Sequence, residues 1–589
     1  MMKKKILLIQ PENKEINNFR KKQFNNFVQI TIPYLAAFID EDLFEITLVD
    51  EYSQKIPFDI AFDLIAITVN TPNAYHCYKI SKIFRDKGAK VVLGGPHVTL
   101  LPNEAEKHCD YLVVGESEET WPRFLKDFYN GSAKARYEPA HVPLLKNLPT
   151  PRWDLLKHRT ALMKGAVFAT RGCPYQCRYC NLKQIYFDRF RTRPKSEVIS
   201  EIKRLKSRYF VFWDDNFFAD KPYAIALMKS LAPLHKRGAA QVTLADCMDE
   251  ELLHEAKSAG CLYLFIGIES FSEASLKDAG KQINRIGDYQ KIIQNIHRHN
   301  MMVQAGIVFG FDTDTPEVFE STLKACEQLG IDGATVSILT PLPQTPIYHQ
   351  MKEEGRLVTE NWTCFNGKTY VAYTPKNLTA RQLYDGYVNF RKKFYSLSSF
   401  IKRIRVSRTH VLHNLIINLG YRLAIRETTY QDLTQKGNEV FWWYMGGGSG
   451  LDVQYDADSA QPFYPVGKFH TIAELKAATE AVYSKQFCED ILYPVGFNEN
   501  AGGYILFKEI DGVLYINNDI GGIGILGEMT DQITVKSSEP EKITVAILAK
   551  EPDPESGAEK EVSYDLTLVK ENGAWKLDNW YDYGVGKTF

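Results

Sequence analysis

Three of the ten cysteines lie within eight residues, in the stretch Arg171-Gly172-Cys173-Pro174-Tyr175-Gln176-Cys177-Arg178-Tyr179-Cys180. Thiolates are the usual ligands of iron–sulfur clusters, and a Cys-x3-Cys-x2-Cys spacing lets one loop reach several irons. Three thiolates leave one iron of a [4Fe–4S] cube open, as a metal that acts on a bound molecule requires. A zinc site that lacks one ligand and three unrelated cysteines are the alternatives. The spacing predicts that Cys173, Cys177 and Cys180 hold a [4Fe–4S] cluster.

With the aromatic Tyr179 just before its last cysteine, this stretch resembles the radical SAM superfamily. In that family the open iron binds the amine and carboxylate of S-adenosylmethionine, and one electron from the cluster yields a 5′-deoxyadenosyl radical that removes a substrate hydrogen. The resemblance runs from Gly165 to Pro341 and implies a partial (β/α)6 barrel within residues 146–340. Its candidate strands are Gly165–Thr170, Tyr209–Trp213, Gln241–Ala245, Tyr263–Ile268, Val303–Phe309 and Gly333–Leu339.

Site residues belong at the carboxyl ends of such strands. The resemblance implies that Asp214-Asp215-Asn216 helps to hold the methionyl amine or the ribose, and that Glu269-Ser270 contacts the adenosyl group. It also implies that Gly306–Gly310, with Ile307 and Phe309, packs against adenine, and Tyr179 is a further candidate contact. The alternatives are a helix N-cap for the two aspartates, a structural ion pair for the glutamate and a turn for the last glycine.

Residues 1–145 alternate apolar runs with helical patterns, which predicts βαβ units in a doubly wound parallel sheet. Ligands bind outside the carboxyl ends of strands in such sheets. Two loops at these ends, Gly94-Gly95-Pro96-His97 and Gly115-Glu116-Ser117-Glu118, are therefore candidate cofactor sites, although tight turns alone also explain their glycines. The candidate strands are Lys5–Ile9, Glu45–Val49, Leu64–Thr68, Lys90–Leu93 and Tyr111–Val114, with a helix at Tyr75–Lys87.

The runs Val91–His97 and Val113–Glu116 resemble the cobalamin-binding domain found ahead of many radical SAM enzymes, which implies that Gly94, Gly95, Gly115 and Glu116 contact cobalamin. That family often carries an Asp-x-His-x-x-Gly motif whose histidine ligates cobalt. The equivalent stretch here is Asp50-Glu51-Tyr52-Ser53-Gln54-Lys55, with Tyr and Lys at the His and Gly positions. Either cobalamin binds without a protein histidine, or the fold persists without cobalamin, because His76 and His97 do not fit the motif.

Residues 341–430 form a basic extension that begins Pro341-Leu342-Pro343-Gln344-Thr345-Pro346. The order of elements over about 1–430 resembles the branch that contains the anaerobic magnesium-protoporphyrin ester cyclases and the hopanoid methylases. From Arg391 to Arg426 there are nine Lys or Arg and no Asp or Glu, interleaved with apolar residues. A basic face beside an apolar one suits a membrane surface or a lipid-like substrate, while a solvated helical hairpin is the alternative. No recognition motif accompanies the charge, so we expect no nucleic-acid partner.

Residues 431–589 differ from the rest, with 12 Lys and no Arg against 26 Asp or Glu, a net charge of −14. A helix at Ile472–Tyr483, capped by Thr471, and a series of strands predict a separate α+β module with an antiparallel sheet, similar to nuclear-transport-factor-like or cystatin-like folds. Phe469–Lys476 and Asp511–Tyr515 weakly resemble secreted inhibitors of bacterial cell-wall DL-endopeptidases. Such inhibitors act outside the cytoplasm, so we expect the two parts to have separate histories.

No apolar run approaches the roughly 18 residues of a membrane span, and we expect a cytosolic protein. The leading hypothesis is a radical SAM enzyme that modifies an unactivated carbon of a hydrophobic or lipid-like substrate. Methyl transfer is expected if cobalamin is bound, and oxidative cyclisation if it is not. The family resemblance also implies an electron donor such as flavodoxin or ferredoxin. Two hypotheses from other classes are an inhibitor in which residues 431–589 are the working part, and a zinc-binding structural protein.

Overall fold

The computed structural model describes residues 3–13, 29–156 and 165–425, and separate short segments between 440 and 584. The chain divides into two compact units, Met1–Ile425 and Arg426–Phe589. The division lies close to residue 431, where the sequence becomes acidic and arginine disappears. The finer domain boundaries expected near 145 and 340 remain predictions.

A parallel sheet of six strands forms the first part of the larger unit, in the order β2-β1-β3-β4-β5-β6. The order reverses beside β1, which pairs with β2 on one side and β3 on the other, so the sheet is doubly wound as predicted. Both faces are covered, which explains the nearly continuous apolar runs. The strands are β1 (Lys4–Gln10), β2 (Phe44–Asp50), β3 (Leu64–Thr68), β4 (Lys90–Gly94), β5 (Tyr111–Val113) and β6 (Arg136–Tyr137). The helices are α1 (Thr31–Ala36), α2 (Ala74–Asp86), α3 (Pro96–Leu100), α4 (Pro102–Ala105) and α5 (Thr120–Tyr129).

A second parallel sheet, in the order β14-β13-β12-β11-β10-β7, forms the predicted partial barrel. The expected first strand is split, because Thr170–Arg171 leaves this sheet and pairs antiparallel with Arg191–Thr192. The strands are β7 (Ala166–Val167), β8 (Thr170–Arg171), β9 (Arg191–Thr192), β10 (Tyr209–Phe212), β11 (Arg237–Val242), β12 (Cys261–Glu269), β13 (Met302–Phe309) and β14 (Gly333–Ile338). The helices are α6 (Leu182–Ile185), α7 (Lys195–Arg204), α8 (Lys221–Leu231), α9 (Glu250–Ser258), α10 (Glu273–Asp278), α11 (Tyr289–Arg298) and α12 (Val318–Leu329).

The third barrel strand lies at Arg237–Val242, four residues before the start that we predicted at Gln241. Small residues allow it to pass between its neighbours: a Cβ on Gly238 would stand 3.3 Å from the Phe210 ring. Such residues carry little apolar signal. The predicted segment instead turns after Val242, where the hydroxyl of Thr243 bonds to the Asp246 carboxylate.

Buried polar contacts fasten the extension to the barrel at Asp332, just before β14. Its carboxylate accepts hydrogen bonds from Val303 N–H at 2.8 Å and from Ser407 Oγ at 2.6 Å, and it also bonds to the Asn414 amide. His297 Nε2 lies 3.1 Å from the same carboxylate. The extension comprises α13 (Pro346–Glu353), α14 (Ala380–Phe394), α15 (Leu397–Ser407) and α16 (411–425).

None of the helices that the structure describes is long and apolar enough to cross a membrane.

The described parts of the second unit form an α+β module with antiparallel sheets, as predicted. One sheet has the order β15-β17-β16, another β18-β19-β20-β21, and β22 pairs with β23. Thr471 Oγ1 accepts the Glu474 N–H at 3.1 Å, which confirms the predicted helix cap. The sequence also predicts hairpin turns at Asp511-Gly512 and Asn572-Gly573, and these lie outside the described residues. The elements are β15 (Phe463–Pro465), α17 (Ile472–Glu480), α18 (Lys485–Phe487), β16 (Phe507–Ile510), β17 (Val513–Asn517), β18 (Glu528–Ser538), β19 (Lys542–Pro552), β20 (Glu559–Glu571), β21 (Ala574–Leu577), β22 (Asn579–Trp580) and β23 (Tyr583–Gly584).

Replacing Asp332 by Ala is expected to lower the free energy of unfolding by about 3 kcal/mol, because several buried donors lose their acceptor. Asp385→Ala, which removes an exposed partner of Arg381, should change it by less than about 0.5 kcal/mol. Urea unfolding followed by tryptophan fluorescence measures both. Equal effects of the two substitutions would show that Asp332 does not anchor the extension.

Candidate active site

A cavity of about 350 Å³ lies where the carboxyl ends of the first sheet face the barrel. The sheet contributes the ends of β1, β3, β4 and β5 and the turns that follow them, and the barrel contributes Phe168, Thr170, Arg171, Trp213 and Asp215. Doubly wound sheets bind ligands in this kind of crevice, beside the point where the strand order reverses. One cavity therefore adjoins both the sheet edge expected to bind cobalamin and the strand that leads into the cysteine loop.

The glycines of this sheet edge line the cavity, but their own packing already requires them. Gly95 has φ +103°, and a Cβ there would stand 2.9 Å from Thr68 Oγ1 and from the Val69 backbone. Gly115 has φ +73°, and its Cβ would stand 3.1 Å from the Phe187 ring. Gly94, with a Cβ position 3.3 Å from Val113 O, is less crowded. Tight turns therefore explain these glycines, as the alternative interpretation proposed, and the same turns also line a crevice that could hold a ligand.

Buried ion pairs beside the cavity join the loop after β5 to the strand pair β8 and β9. Arg171 Nη1 lies 2.6 Å from Glu116 Oε2 and 2.5 Å from Glu118 Oε1, and Arg191 Nη2 lies 2.6 Å from Glu116 Oε1. The two glutamate side chains are only 3% and 5% exposed. Tyr34 Oη donates to Glu118 at 3.0 Å. Although burial opposes it, Arg171 lowers the pKa of Glu118, so this carboxyl stays charged in the cavity wall.

The cysteine loop follows β8 directly and is held through its backbone. Gly172 has φ +86°, where a Cβ would overlap the carbonyl oxygen of Arg189. Its N–H donates to Asp215 Oδ2 at 3.0 Å. On the other side of the loop, Arg178 N–H donates to Ala279 O at 3.0 Å. These contacts fix the loop between the second and fourth strands of the barrel.

The three thiols lie within electrostatic range of one another. Burial raises the pKa of Cys173, Cys177 and Cys180, that of Cys180 to about 12, and Cys177 further raises the pKa of the other two. Within the described residues, no three His, Cys, Asp or Glu side chains are spaced to hold one metal ion. Three thiols from one loop are the donor set that a cube of several irons takes, and these residues fit it.

Asp214, Asp215 and Asn216 follow β10 and differ in what their side chains contact. The Asp214 carboxylate accepts the Ala169 N–H at 3.0 Å and the Thr170 hydroxyl at 2.6 Å, and burial raises its pKa to about 7. Asp215 lines the cavity. The Asn216 amide is buried and has no hydrogen-bond partner among the described residues. No helix begins at these three residues, so the N-cap alternative does not explain them.

Glu269 is the last residue of β12, and Ser270 follows it. The Glu269 carboxylate lies 2.6 Å from Lys281 Nζ, and both side chains are 10% exposed. The ion pair that we gave as the alternative for Glu269 is therefore present. Burial, and then the Glu269 carboxylate, raise the pKa of the Tyr179 hydroxyl. Ser270 Oγ accepts the Ser272 N–H at 3.1 Å, so it shapes the turn after the strand.

Ile307 and Phe309 lie on β13 and are buried in the barrel core. The Phe309 ring packs 4.8 Å from that of Phe319 and 5.1 Å from that of Phe390. Gly310, with φ +107°, turns the chain beneath the Tyr373 hydroxyl, which bonds to its carbonyl oxygen. These contacts favour packing roles over direct contact with adenine.

The stretch expected at the cobalt-ligand position follows β2, the edge strand. Tyr52 Oη accepts the Asn13 N–H at 3.0 Å, and neither Tyr52 nor Lys55 lines the cavity. His97 is buried between Thr71 and Glu104, 3.3 Å from each. His76 pairs with Glu51 at 2.8 Å. No histidine lines the cavity formed by the described residues.

Sequence reasoning missed Lys281, Arg191, Glu118 and Tyr34 as parts of the site. Lys281 lies in an irregular segment and Arg191 in the two-residue strand β9, neither within a motif, and the partner of each lies in another element. Glu118 was quoted in its loop without a role.

Family comparisons match three parts of the chain. Residues 167–326 match the radical SAM superfamily, residues 26–125 match the B12 binding domain, and residues 345–447 match a domain of unknown function (DUF4070).

Curated relatives and solved structures agree with these matches. The chain is 28% identical to the bacteriochlorophyllide d C-12(1)-methyltransferase of Chlorobaculum tepidum, over 68% of this chain and 90% of the relative. It is 29% identical to the hopanoid C-2 methylase of Rhodopseudomonas palustris, over 46% of this chain and 54% of that protein. The solved structure of OxsB, a cobalamin-dependent S-adenosylmethionine radical enzyme, shares the fold with a TM-score of 0.52 at 14% identity, over 74% of this chain and 81% of OxsB.

The fold and the matched domains define a radical SAM enzyme. It carries an N-terminal B12-binding domain, which supports cobalamin as a cofactor, and the radical SAM domain implies a [4Fe–4S] cluster and S-adenosylmethionine. The zinc-protein hypothesis is therefore wrong.

Proposed function

We propose that this enzyme transfers a methyl group to an unactivated carbon of a hydrophobic substrate. The observation that carries the proposal is the cavity, which adjoins the B12-binding sheet edge on one side and, on the other, Arg171 in the strand that leads into the cysteine loop. Hydrogen removal and methyl delivery must occur at the same carbon, so both cofactors need access to one space. Relatives named as methyltransferases add support. Oxidative cyclisation without cobalamin is the alternative.

When bound, the reduced cluster and S-adenosylmethionine supply a 5′-deoxyadenosyl radical, and cobalamin supplies the methyl group. We assign Cys173, Cys177 and Cys180 to the cluster. Asp215 positions their loop through the Gly172 N–H. The buried Asn216 amide is available to bond S-adenosylmethionine, because buried polar groups otherwise find partners.

The cavity wall keeps water away from the reacting carbon. Tyr34, Trp121 and Phe168 line it with rings, and Arg171 stacks over Phe168 at 4.6 Å from the ring centre. Because no histidine lines the cavity among the described residues, we infer that cobalamin is held without a histidine ligand, through the sheet edge at Gly94, Gly95, Gly115 and Glu116. A flavodoxin or ferredoxin is the electron donor that we propose.

Anaerobic reconstitution with cobalamin and methyl-labelled S-adenosylmethionine tests this function. We expect wild-type protein to keep a corrin absorption band after desalting, and to form 5′-deoxyadenosine on reduction with dithionite. The variant Cys173→Ala/Cys177→Ala/Cys180→Ala should keep the corrin band and form no nucleoside, since only the cluster is lost. Cys364→Ala, at a cysteine outside the loop, is the matched control. Wild-type protein that forms the nucleoside but retains no corrin would exclude methylation and favour cyclisation.

The extension offers a route to a hydrophobic substrate, because α16 exposes its apolar side. Leu412, Ile416, Leu419 and Leu423 recur at helical spacing and are between 40% and 66% exposed. The opposite face turns two asparagines inward, of which Asn414 bonds to Asp332. A helix on a protein surface normally has polar residues on the face exposed to water and apolar residues on the face that packs inward. A contiguous exposed apolar stripe marks a surface that another phase or molecule covers.

Charge indicates what covers this stripe. Arg405 and Arg408 are exposed at the end of α15, and neither forms an ion pair with another described residue. No Asp or Glu occurs from 391 to 426. A second copy that met this surface across a twofold axis would place these like charges together. We propose that an anionic lipid surface covers it, with cations at the headgroups and the leucines in the interface.

Sedimentation with vesicles tests the lipid surface. We expect the full chain to bind phosphatidylglycerol-containing vesicles at least tenfold more tightly than phosphatidylcholine vesicles, and Leu412→Glu/Leu419→Glu to lose about tenfold or more of that affinity. Ile60→Glu/Leu144→Glu, which alters exposed apolar residues elsewhere, should bind as wild type. Equal binding by both double variants, or a dimer that only Leu412→Glu/Leu419→Glu dissolves, would overturn the proposal.

A further inference from the structure

A segment after α10 packs directly against the cysteine loop. Ala279 O accepts the Arg178 N–H at 3.0 Å, and the Asp278 carboxylate accepts Arg178 Nη1 at 3.0 Å. Gly280, with φ +67°, has its Cβ position 3.1 Å from Arg178 Cγ. This close packing fixes the next residue, Lys281, beside the loop.

Lys281 carries a buried positive charge at this position. Its Nζ lies 2.6 Å from Glu269 Oε1, and the two side chains are each 10% exposed. Although burial opposes it, the Glu269 carboxylate and then the Cys177 thiol raise the pKa of Lys281. Cys180 acts on it in the same direction. The contact with Glu269 keeps this buried ammonium charged, and the packing of Ala279 and Gly280 against Arg178 places it beside the cysteine loop.

The backbone is shaped to make this ion pair. Glu269 has φ +65°, an uncommon conformation for a side chain of this kind, and the pairing of β12 with β13 shifts register between Gly267 and Glu269. A Cβ on Gly267 would overlap both the Glu269 carboxylate and the Lys281 ammonium. The Asn284 amide bonds to Gly267 O at 3.0 Å and to Ile268 O at 3.1 Å, which holds the turn. Strain that the surroundings maintain in this way is typical of functional sites.

We propose that Lys281 is a positioning residue that fixes a positive charge beside the [4Fe–4S] cluster and raises its reduction potential, with Glu269 acting in the opposite sense. This rests on the proposed assignment of the cluster to the three cysteines. Reduction adds one negative charge to the cluster, which a nearby cation favours and a nearby anion opposes. In a buried site such charges act strongly, because little solvent screens them. Charge, hydrogen bonds and solvent exposure are what proteins use to set cluster potentials.

The two charges therefore predict shifts of opposite sign. Redox titration of the reconstituted full-length protein without S-adenosylmethionine, followed by electron paramagnetic resonance of the reduced cluster, measures the midpoint potential. We expect Lys281→Met to lower the midpoint and Glu269→Gln to raise it, with the double variant between them. Shifts of the same sign, or no shift in either variant, would overturn the proposal, since a purely structural role perturbs the site without regard to sign.

Two controls isolate charge from packing. Lys281→Arg keeps the charge and should restore the midpoint toward wild type. Lys277→Met removes a lysine four residues earlier on the exposed side of α10 and should leave it unchanged. If the Lys281→Met protein takes up no cluster, the Glu269→Gln variant alone tests the proposal, because its midpoint potential must lie above that of the wild type. A wild type without iron and sulfide after reconstitution would refute the cluster assignment itself, which is a separate failure.

Discussion

The Arg171 guanidinium joins the two halves of the larger unit. It reaches from the last strand before the cysteine loop to Glu116 and Glu118 at the edge of the first sheet. All three groups are largely buried, and removing one partner of a buried ion pair costs about 3–5 kcal/mol because the other charge is left unpaired. The loop after β5 and strand β8 therefore cannot separate without leaving a buried charge unpaired or exposing it to water. The ion pairs thus hold the two sides of the cavity together.

The rest of the site follows from that constraint. The residue after Arg171 is Gly172, which begins the cysteine loop and is held by Asp215, so the bridge also sets where the loop starts. On the far side of the loop, Lys281 and Glu269 form a second buried ion pair. The loop thus lies between two fixed pairs, one facing the B12-binding domain and one facing the barrel. An enzyme that directs a radical to a single carbon needs this rigidity, because small displacements of the reacting groups cost much of the rate.

The sequence predicted the features that depend on short stretches of chain, namely the cluster ligands and most of the parallel strands. The cysteine spacing indicated the cluster, and apolar runs located most parallel strands to within a residue or two, because strands covered on both faces are nearly all apolar. The start of the third barrel strand was wrong, because Gly238 and its alanine neighbours give no apolar signal. Lys281 was missed because its partner, Glu269, belongs to another element and a single lysine has no motif. The Asp214 carboxylate bonds to the backbone before the loop, a contact that the sequence could not show because it depends on how two strands are placed, and its contact with the cofactor stays a prediction.

The central claim is that the bridge at Arg171 holds the cobalamin and cluster sites against one shared cavity. Electron paramagnetic resonance of the protein loaded with cob(II)alamin and a reduced cluster tests it most directly, since both centres are paramagnetic. We predict a dipolar splitting in the wild-type spectrum, as expected for two centres that share one cavity, that broadens or disappears in Arg171→Met because the separation is no longer fixed. Two unperturbed signals in the wild type, with both cofactors bound, would contradict the claim.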